Sequence, residues 1–424
     1  MRSILVAAVL VAACGDDPAP LEPTANIARE IIDTKLSFDV TAKRGTASIT
    51  FSPSTEPGAS LEVGDLGIDP VTMAGEYVVS AQTGAQLDLA LPASKEPLTV
   101  DIPFGYNFHE GFQGASSKGF TLIWPYYCGN LFPCHSQPAD GTTFSLDLAG
   151  VADGQTAVFP PAIESEAPSY QIAWSIGAYT ELDLGTTTAG TLVSIWHLPG
   201  EDAMAAQGGA NLVAAFDWFE KTLGPYQFGN HVGTVSVAWP RGAFGGMEHH
   251  PRWHVGSTAL SDEETNVHEA AHGWFGDGIR IECWEDFVLS EGTVTYLAGR
   301  ALDVVAPTVG ATVWSGYRNE LTTSITAAQK VWPQSCGVVD IVKDNLFTQA
   351  PYIRGAFFYR GLADKLGPDM VDQVLATFYQ AHMGKPATMQ EMLDTIHTVT
   401  GYDATACAKT WLLDAAIPTP GPCP

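Results

Sequence analysis

The sequence predicts an α+β protein with more than one domain: a β-rich N-terminal part followed by a mostly helical C-terminal part. Alternating apolar and polar residues recur from about residue 28 to residue 189, separated by Gly, Pro and Asp turns. Helical periodicity dominates from Ser261 onward. The 424 residues suffice for two or three domains, and a hydrophobic fraction of 46% can fill their cores.

The first residues have the features of a targeting segment. A short basic start precedes an apolar run, residues 4–13, which is too short to span a bilayer. The run ends in Val-Ala-Ala-Cys at Cys14, which resembles a bacterial lipobox. We therefore expect residues 1–14 to be a lipoprotein signal peptide with Cys14 as the lipidation site. An ordinary signal peptide that happens to carry a cysteine is the alternative.

A Pro- and Asp-rich stretch, residues 15–28, follows Cys14 and reads as a polar tether. Lipidation at Cys14 would anchor the protein to a membrane. The expected location is the bacterial cell envelope, outside the cytoplasm, on the periplasmic side or the cell surface.

Residues 29–189 are predicted to form an antiparallel β-sandwich-like domain. Residues 36–40 and 47–51 alternate strictly between apolar and polar side chains, and turn residues separate the later runs, such as residues 144–148. A Gly-Thr-Thr-Thr-Ala-Gly stretch, residues 185–190, marks the change to the next domain.

Residues 190–424 are predicted to form the second domain. A strand is expected at residues 192–196, a helix with an apolar stripe at residues 203–223, and a further strand at residues 234–239. Helices follow from residue 261 onward.

The sequence Val-His-Glu-Ala-Ala-His, residues 267–272, predicts a catalytic zinc site. On a helix, His268 and His272 share one face and can bind one metal ion, and Glu269 can reach a water molecule beside it. Glu291 follows with eighteen residues between it and His272, on a second predicted helix. Two histidines and one carboxylate leave a zinc coordination position open, as catalytic sites require. A surface helix with chance histidines is the alternative.

The helix that carries the two histidines has a local start signal. Ser261-Asp262-Glu263-Glu264 indicates a capping box with acidic residues in the first turn. The helix is expected to run to about Phe275, since Gly276 and Gly278 suit its end. The second helix, from about residue 286 to residue 300, would run antiparallel to the first.

Six cysteines remain after Cys14, an even number that predicts disulfides in an exported protein. Fifteen pairings are possible in principle. A second metal site is the alternative, although the sequence has no Cys-x-x-Cys spacing. Proximity in the sequence favours three pairs: Cys128 with Cys134, Cys283 with Cys336, and Cys407 with Cys423.

The charge excludes one class of partner. The chain has 47 acidic and 20 basic residues, a formal net charge of −27. Nucleic acid is therefore not expected to bind, because phosphate recognition needs basic patches.

The segment HEAAHGWFGDGIRIECWEDFVLSEGTVTYL, residues 268–297, resembles the zinc-site region of the aminopeptidase N and leukotriene hydrolase family of gluzincin metallopeptidases. Gly-Gly-Met-Glu-His, residues 245–249, resembles the family's Gly-x-Met-Glu-Asn motif, and Pro-Tyr-Ile-Arg-Gly, residues 351–355, its Tyr-x-Lys-Gly motif. Residues 131–148 resemble its Phe-Pro-Cys segment. Weaker similarity extends from about residue 29 to residue 418.

The resemblance, which is to membrane alanyl aminopeptidase-like proteins, implies a thermolysin-like zinc peptidase domain with one Zn²⁺. It implies His268, His272 and Glu291 as ligands, Glu269 as the general base and Tyr352 as the donor to the oxyanion. It also implies substrate binding by the Gly-x-Met-Glu motif: Gly245, Gly246, Met247, Glu248 and His249.

Within that motif, Glu248 would bind the free α-amine of the substrate, and His249 replaces the family's Asn. Arg354 replaces the family's Lys, which keeps the charge but not the geometry. His250 and His254 follow closely, and a second metal site on these histidines is a further alternative.

The first domain departs from the family pattern at residues 121–125, Thr-Leu-Ile-Trp-Pro. Leu122 and Trp124 occupy positions where relatives carry polar residues that hold the substrate amine. The amine would then be held by Glu248 and Glu291 alone.

These observations favour a zinc metallopeptidase, namely an aminopeptidase that removes N-terminal residues from peptides outside the cytoplasm. One alternative is an endopeptidase or a hydrolase of modified N-termini. Another is a non-catalytic, zinc-bearing surface binding protein. The oligomeric state is not predicted.

Overall fold

The computed structural model describes residues 21–239 and 244–424, so Cys14 and its lipobox lie outside the described residues. The strands of the N-terminal part are β1 (Ile31–Asp39), β2 (Arg44–Phe51), β3 (Ala59–Glu62), β4 (Gly67–Ile68), β5 (Thr72–Met73), β6 (Glu76–Tyr77), β7 (Ser80–Thr83), β8 (Gln86–Leu89), β9 (Leu98–Gly105), β10 (Gly114–Ala115), β11 (Thr121–Leu122), β12 (Thr142–Ala149), β13 (Thr156–Val158), β14 (Ala162–Ala167) and β15 (Ser175–Gly177).

The later strands are β16 (Thr180–Thr186), β17 (Leu192–His197), β18 (His231–Val237), β19 (Gly246–Met247), β20 (Arg252–Gly256), β21 (Arg280–Ile281) and β22 (Pro386–Ala387). The helices are α1 (Asp202–Gly208), α2 (Leu212–Thr222), α3 (Glu263–Ala271), α4 (Phe287–Val305), α5 (Pro307–Thr323), α6 (Gln349–Leu366), α7 (Pro368–His382), α8 (Met389–Thr400) and α9 (Thr405–Ala408).

The N-terminal part contains an eight-stranded sheet in the order β14-β12-β1-β2-β9-β5-β6, with β4 paired to β9. A three-stranded sheet, β3-β8-β7, contributes to the same hydrophobic core. The strict alternation in β2 buries Ala47, Ile49 and Phe51 and leaves the intervening residues partly exposed. The predicted mostly-β domain is confirmed, but its large sheet is mixed, because β1 pairs with β12 in parallel.

A second sheet supports the candidate site, with the strand order β16-β17-β18-β20-β19. Its central pairs, β17 with β18 and β18 with β20, are parallel, and the outer pairs are antiparallel. This sheet begins with β16, before the boundary at residue 189 that composition suggests. The helices then follow, as predicted for the C-terminal part.

Two predicted helices differ from the structure in extent. The stretch 203–223 forms two helices, α1 and α2, instead of one. At Gly209, which follows α1, the side chains of Leu184 and Ile195 approach so closely that they leave no room for a Cβ. Helix α3 ends at Ala271 rather than near Phe275, since the chain turns through Gly276, whose φ of +109° favours glycine.

The three disulfides join the predicted pairs: Cys128 with Cys134, Cys283 with Cys336, and Cys407 with Cys423. The buried Arg354 donates from its guanidinium to the carbonyl oxygens of Thr410 and Asp414, at 3.1 and 2.7 Å. It therefore ties the C-terminal segment to α6. None of the helices within residues 21–239 and 244–424 is long and apolar enough to cross a membrane.

Candidate metal centre and substrate cleft

Helix α3 begins at a single capping side chain. The Asp262 carboxylate accepts a hydrogen bond from the backbone N–H of Glu264, at 3.1 Å, and Glu263 and Glu264 place negative charge in the first turn. The cap is therefore Asp262, without the capping box that the sequence suggested. The spacing of four residues along the helix places His268 and His272 on one face.

His268, His272 and Glu291 come together at one point between α3 and α4. The Glu291 Oε2 atom lies 3.2 Å from His268 Nε2 and 3.4 Å from His272 Nε2. All three side chains are buried. The packing of α3 against α4 thus brings the three predicted ligands together.

The orientation of His272 is fixed by its other ring nitrogen. Its Nδ1–H donates to the Phe275 carbonyl oxygen at 3.0 Å, so Nε2 keeps its lone pair and faces Glu291. A backbone acceptor behind a ligand imidazole is the usual device for holding a metal-binding tautomer. The turn after α3 is therefore part of the site, and not only the end of a helix.

The three side chains interact strongly. Burial disfavours the ionised form of Glu291, but His272 and then His268 outweigh it and lower the pKa of Glu291 to about 2. Burial opposes charge on both imidazoles as well, yet Glu291 and neighbouring carboxylates raise the pKa of His268 and His272. The pocket therefore favours positive charge at its centre.

The donor set fits zinc. Two imidazole nitrogens and one carboxylate oxygen lie within 4.8 Å of one another, and this combination of N and O ligands suits Zn²⁺. Glu248, Glu269 and His272 form an overlapping group beside it. A third group, Cys283, Glu285 and Cys336, offers no thiolate, because its cysteines form a disulfide.

Glu269 lies next to this centre with a free oxygen. It is buried, and its Oε2 atom has no hydrogen-bond partner within the described residues. Burial raises the pKa of Glu269 well above its usual range, and the His272 imidazole opposes that rise. A Cβ at Gly246 would overlap the Glu269 carboxylate, so the glycine of β19 is what admits this side chain.

Tyr352 packs against the candidate metal ligands and lines the same cleft. It lies in the first turn of α6, whose N-cap Thr348 accepts from the N–H of Ala350, and its ring stacks on His268 with centroids 6.0 Å apart. Burial, followed by Glu291 and Glu248, raises the pKa of Tyr352 well above its usual value. The phenol therefore stays protonated and can donate.

These side chains open into a cleft of about 640 Å³. Glu248 follows β19 directly and places a buried carboxylate in the cleft wall. Burial raises the pKa of Glu248, and the His272 imidazole opposes the rise. No lysine or arginine is among the described residues that line the cleft. A cationic group on a bound ligand would therefore supply the positive partner that the Glu248 carboxylate lacks in the cleft.

Gly245, Gly246, Met247 and Glu248 line the cleft, but His249 does not. The His249 ring is buried behind the cleft and donates from Nδ1 to the Tyr170 carbonyl oxygen at 2.9 Å. Burial lowers the pKa of His249 to about 3. It is placed as a packing residue, which corrects the expected contact with substrate.

The neighbouring histidines do not form a second metal site within the described part of the chain. His250 donates from Nε2 to the Glu269 carbonyl oxygen at 2.8 Å and accepts from the Tyr226 hydroxyl, also at 2.8 Å. His254 is fully buried in β20. Burial lowers the pKa of His250 to about 3. His250 thus holds the backbone of α3 beside the base.

An aromatic wall, defined as Trp124, Phe244 and Phe347, forms one side of the cleft. The rings of Trp124 and Phe347 lie 4.7 Å apart, and those of Phe244 and Phe347 6.1 Å apart. Leu122 is buried and does not line the cleft, so of the two departures from the family pattern only Trp124 faces the ligand space.

Sequence reasoning missed an acidic side of the same cleft. Glu264 accepts a hydrogen bond from the Tyr317 hydroxyl at 2.5 Å, and Glu320 lies one turn along α5. Burial raises the pKa of Glu264 and of Glu320. Of these two residues, only Glu264 could have been found from the sequence, because it lies four residues before His268 on the same helix. Glu320 comes near the centre only because α5 packs there in the folded protein.

Comparison with known proteins agrees with this geometry. Residues 213–411, which include every candidate metal ligand, match the Peptidase family M1 domain. This match covers just under half of the chain. Mouse aminopeptidase B is 27% identical over 282 residues, which cover 58% of this chain and 40% of that protein. Leucine aminopeptidase 2 of Aspergillus niger is 27% identical over 350 residues, covering 70% of this chain and 53% of that protein.

The chain thus spans about half or less of the length of the curated M1 relatives it matches. Among solved structures, an M1 zinc metallopeptidase from Deinococcus radiodurans superposes with a TM-score of 0.77 at 18% identity. That match covers 93% of this chain and 96% of the other. A mutant of the same peptidase, bound to a Tyr-Ser-Ala substrate, gives a TM-score of 0.78. The two-domain M1 fold is therefore shared along almost the whole chain.

Proposed function

We propose that the protein is a zinc-dependent aminopeptidase that removes N-terminal residues from peptides. The observation that carries this proposal is the position of Glu248, a buried carboxylate in the wall of the cleft beside the three candidate zinc ligands. A peptide with a free N-terminus would place its ammonium against Glu248 and its first peptide bond near the ligand centre. The named M1 relatives, which are aminopeptidases, support the same assignment.

His268, His272 and Glu291 would hold the zinc ion. When bound, zinc would polarise the scissile carbonyl and lower the pKa of a water molecule. Glu269 would take the proton of the attacking water and deliver it to the leaving amine. Its Oε2 atom, which has no hydrogen-bond partner among residues 21–239 and 244–424, is available for this role. The protonated Tyr352 phenol would donate a hydrogen bond to the oxygen on which negative charge develops.

The aromatic wall supports a preference for substrates with a large apolar N-terminal residue. Trp124 stands close to Phe347, and the wall offers a substrate apolar surface to bury. Since Trp124 offers no carboxylate or amide to the substrate amine, we expect the amine to depend mainly on Glu248.

A second candidate function rests on the position of Trp124. An endopeptidase, or a hydrolase of modified N-termini, would not need two polar anchors for an amine. Trp124 in the ligand space favours this alternative. A non-catalytic binding protein is disfavoured, because His268, Glu269, His272, Glu291 and Tyr352 all converge on the cleft.

Rates on matched peptides with free and acetylated N-termini separate these functions. The aminopeptidase should cleave the free peptide and leave the acetylated one nearly intact. Glu248→Ala should cost about 2–5 kcal/mol in kcat/KM on the free peptide, because the ammonium loses its partner. The exposed Glu96 provides a matched control in Glu96→Ala. Equal rates on both peptides, with no effect of Glu248→Ala, would establish the endopeptidase alternative.

We also propose that the protein acts outside the cytoplasm, anchored by lipid at Cys14. The lipobox sequence supports this proposal, and three disulfides suit an oxidising compartment. The intact mass of protein from the native host should show a lipidated chain that starts at Cys14, and Cys14→Ser should abolish that modification. An unlipidated mature chain would overturn the anchoring.

A further inference from the structure

The connection between α5 and α6, residues 324–348, contains no helix or strand. We call these residues the strap. Connections longer than roughly 15 residues without secondary structure are uncommon in compact domains and usually have a function. The strap is not loose, however: Ile325, Trp332, Ile341 and Leu346 are buried.

Side chains from outside the strap accept hydrogen bonds from three of its backbone N–H groups. One carboxylate oxygen of Glu285 accepts hydrogen bonds from the N–H groups of Val338 and Val339, at 2.6 and 2.9 Å. The Tyr126 hydroxyl oxygen accepts from the N–H of Ile341 at 3.1 Å. In a helix or sheet, these N–H groups would bond to other backbone groups. In the strap they bond to Glu285 and Tyr126 instead, so these external contacts help to position it.

The covalent contact is the disulfide between Cys283 and Cys336. Cys283 lies just before α4, the helix that carries Glu291, and Cys336 lies in the middle of the strap. Next to Cys283, the Asp286 carboxylate accepts from the Trp332 indole N–H at 3.0 Å. The segment 283–286 thus holds the strap through a disulfide and two carboxylates.

The two ends of the strap reach the cleft. Gln329 lines it near the start, and Phe347 lines it at the end. Phe347 is the central ring of the aromatic wall, because it contacts both Trp124 and Phe244. Trp124 belongs to the N-terminal part of the chain, so the wall forms only where the strap meets that part.

We propose that the Cys283–Cys336 disulfide is a positioning device that holds Phe347 in the aromatic wall and thereby sets selectivity for bulky apolar N-terminal residues. This inference rests on the proposed aminopeptidase function. The disulfide acts through Phe347 and does not touch the reacting atoms. Opening it leaves the metal ligands in place and widens the apolar side of the cleft.

The exposed Cys336 makes the bond accessible to a reductant. An added dithiol transfers two electrons and two protons to the Cys283–Cys336 bond. The protein gains two thiols, and the dithiol becomes a cyclic disulfide. The double variant Cys283→Ser, Cys336→Ser removes the bond without a reductant. The matched control is Cys407→Ser, Cys423→Ser, which opens a disulfide that does not involve the strap.

The experiment compares kcat and KM on aminoacyl anilides of phenylalanine and alanine. Loss of the Cys283–Cys336 bond should raise KM for the phenylalanine substrate about tenfold, within the range that an apolar pocket discriminates. The alanine substrate should change less than about twofold, and zinc content should stay the same. The control variant should keep the wild-type ratio of the two KM values. An unchanged ratio in the Cys283→Ser, Cys336→Ser variant overturns the proposal.

A second readout does not depend on activity. The strap contains two exposed trypsin sites, Lys330 and Lys343. Opening the disulfide should make trypsin cut there first, either in the double variant or in wild-type protein treated with dithiol. Should the wild type hydrolyse no aminoacyl substrate, the proposed function fails by itself. Whether or not the protein is active, an unchanged digestion pattern after the disulfide is opened would show that the disulfide does not hold the strap.

Discussion

Gly292 on α4 and Gly355 on α6 meet backbone to backbone where the two helices cross: a Cβ added to Gly292 would lie 2.8 Å from the Cα of Gly355. Glu291 precedes one glycine, and Tyr352 stands one turn before the other. The glycine contact therefore sets the distance between a metal ligand and the phenol that serves the same centre.

Gly355→Ala should push α4 and α6 apart. We expect the free energy of unfolding to fall by about 1–3 kcal/mol, because overpacking a close backbone contact forces a shift. Activity should fall further than this loss of stability explains, since Tyr352 moves away from Glu291. Thermal unfolding together with kcat on the folded variant separates the two effects. A fully active Gly355→Ala protein would show that the crossing tolerates displacement.

Glu269→Gln should retain zinc and lose hydrolysis. The amide keeps the size of the side chain but cannot accept the proton of the attacking water, and general-base catalysis contributes about 10²–10⁴-fold. Metal analysis and kcat on the same preparation test this prediction. Retained activity in a zinc-loaded Glu269→Gln protein would remove Glu269 from the mechanism.

Tyr352→Phe should lower kcat far more than it raises KM, because the phenol acts mainly in the transition state. The expected loss is about 3–4 kcal/mol, as for other single oxyanion donors. Tyr359→Phe, on the same helix but outside the cleft, is a matched control for removing a buried hydroxyl from α6. A change in kcat smaller than about threefold in Tyr352→Phe would show that Tyr352 only packs.

Local sequence patterns were sufficient to predict the candidate metal ligands. The spacing of His268 and His272 specifies one face of a helix, and Glu291 lies on α4, the next α-helix along the chain. The three disulfide pairs also follow from proximity along the chain. The two cysteines of each pair are separated by at most 53 positions along the chain.

The features of the structure that the sequence did not predict depend on long-range packing. The parallel pairing of β1 with β12 joins distant strands, and no local signal specifies it. His249 resembles a substrate residue by its motif, yet the carbonyl of Tyr170 holds its ring behind the cleft. The strap has no periodicity, so its position against the cleft depends on contacts with Glu285 and Tyr126 that only the fold creates.

Zinc titration of the metal-free protein, with hydrolysis of an unblocked aminoacyl substrate as the readout, tests the central claim most directly. His268, His272 and Glu291 offer one three-donor site with an open position, so activity should rise linearly and saturate at about one Zn²⁺ per chain. His272→Ala protein should neither bind the ion tightly nor gain activity. Hydrolysis that persists without metal, or a protein that binds no stoichiometric zinc, would contradict the assignment of a zinc aminopeptidase.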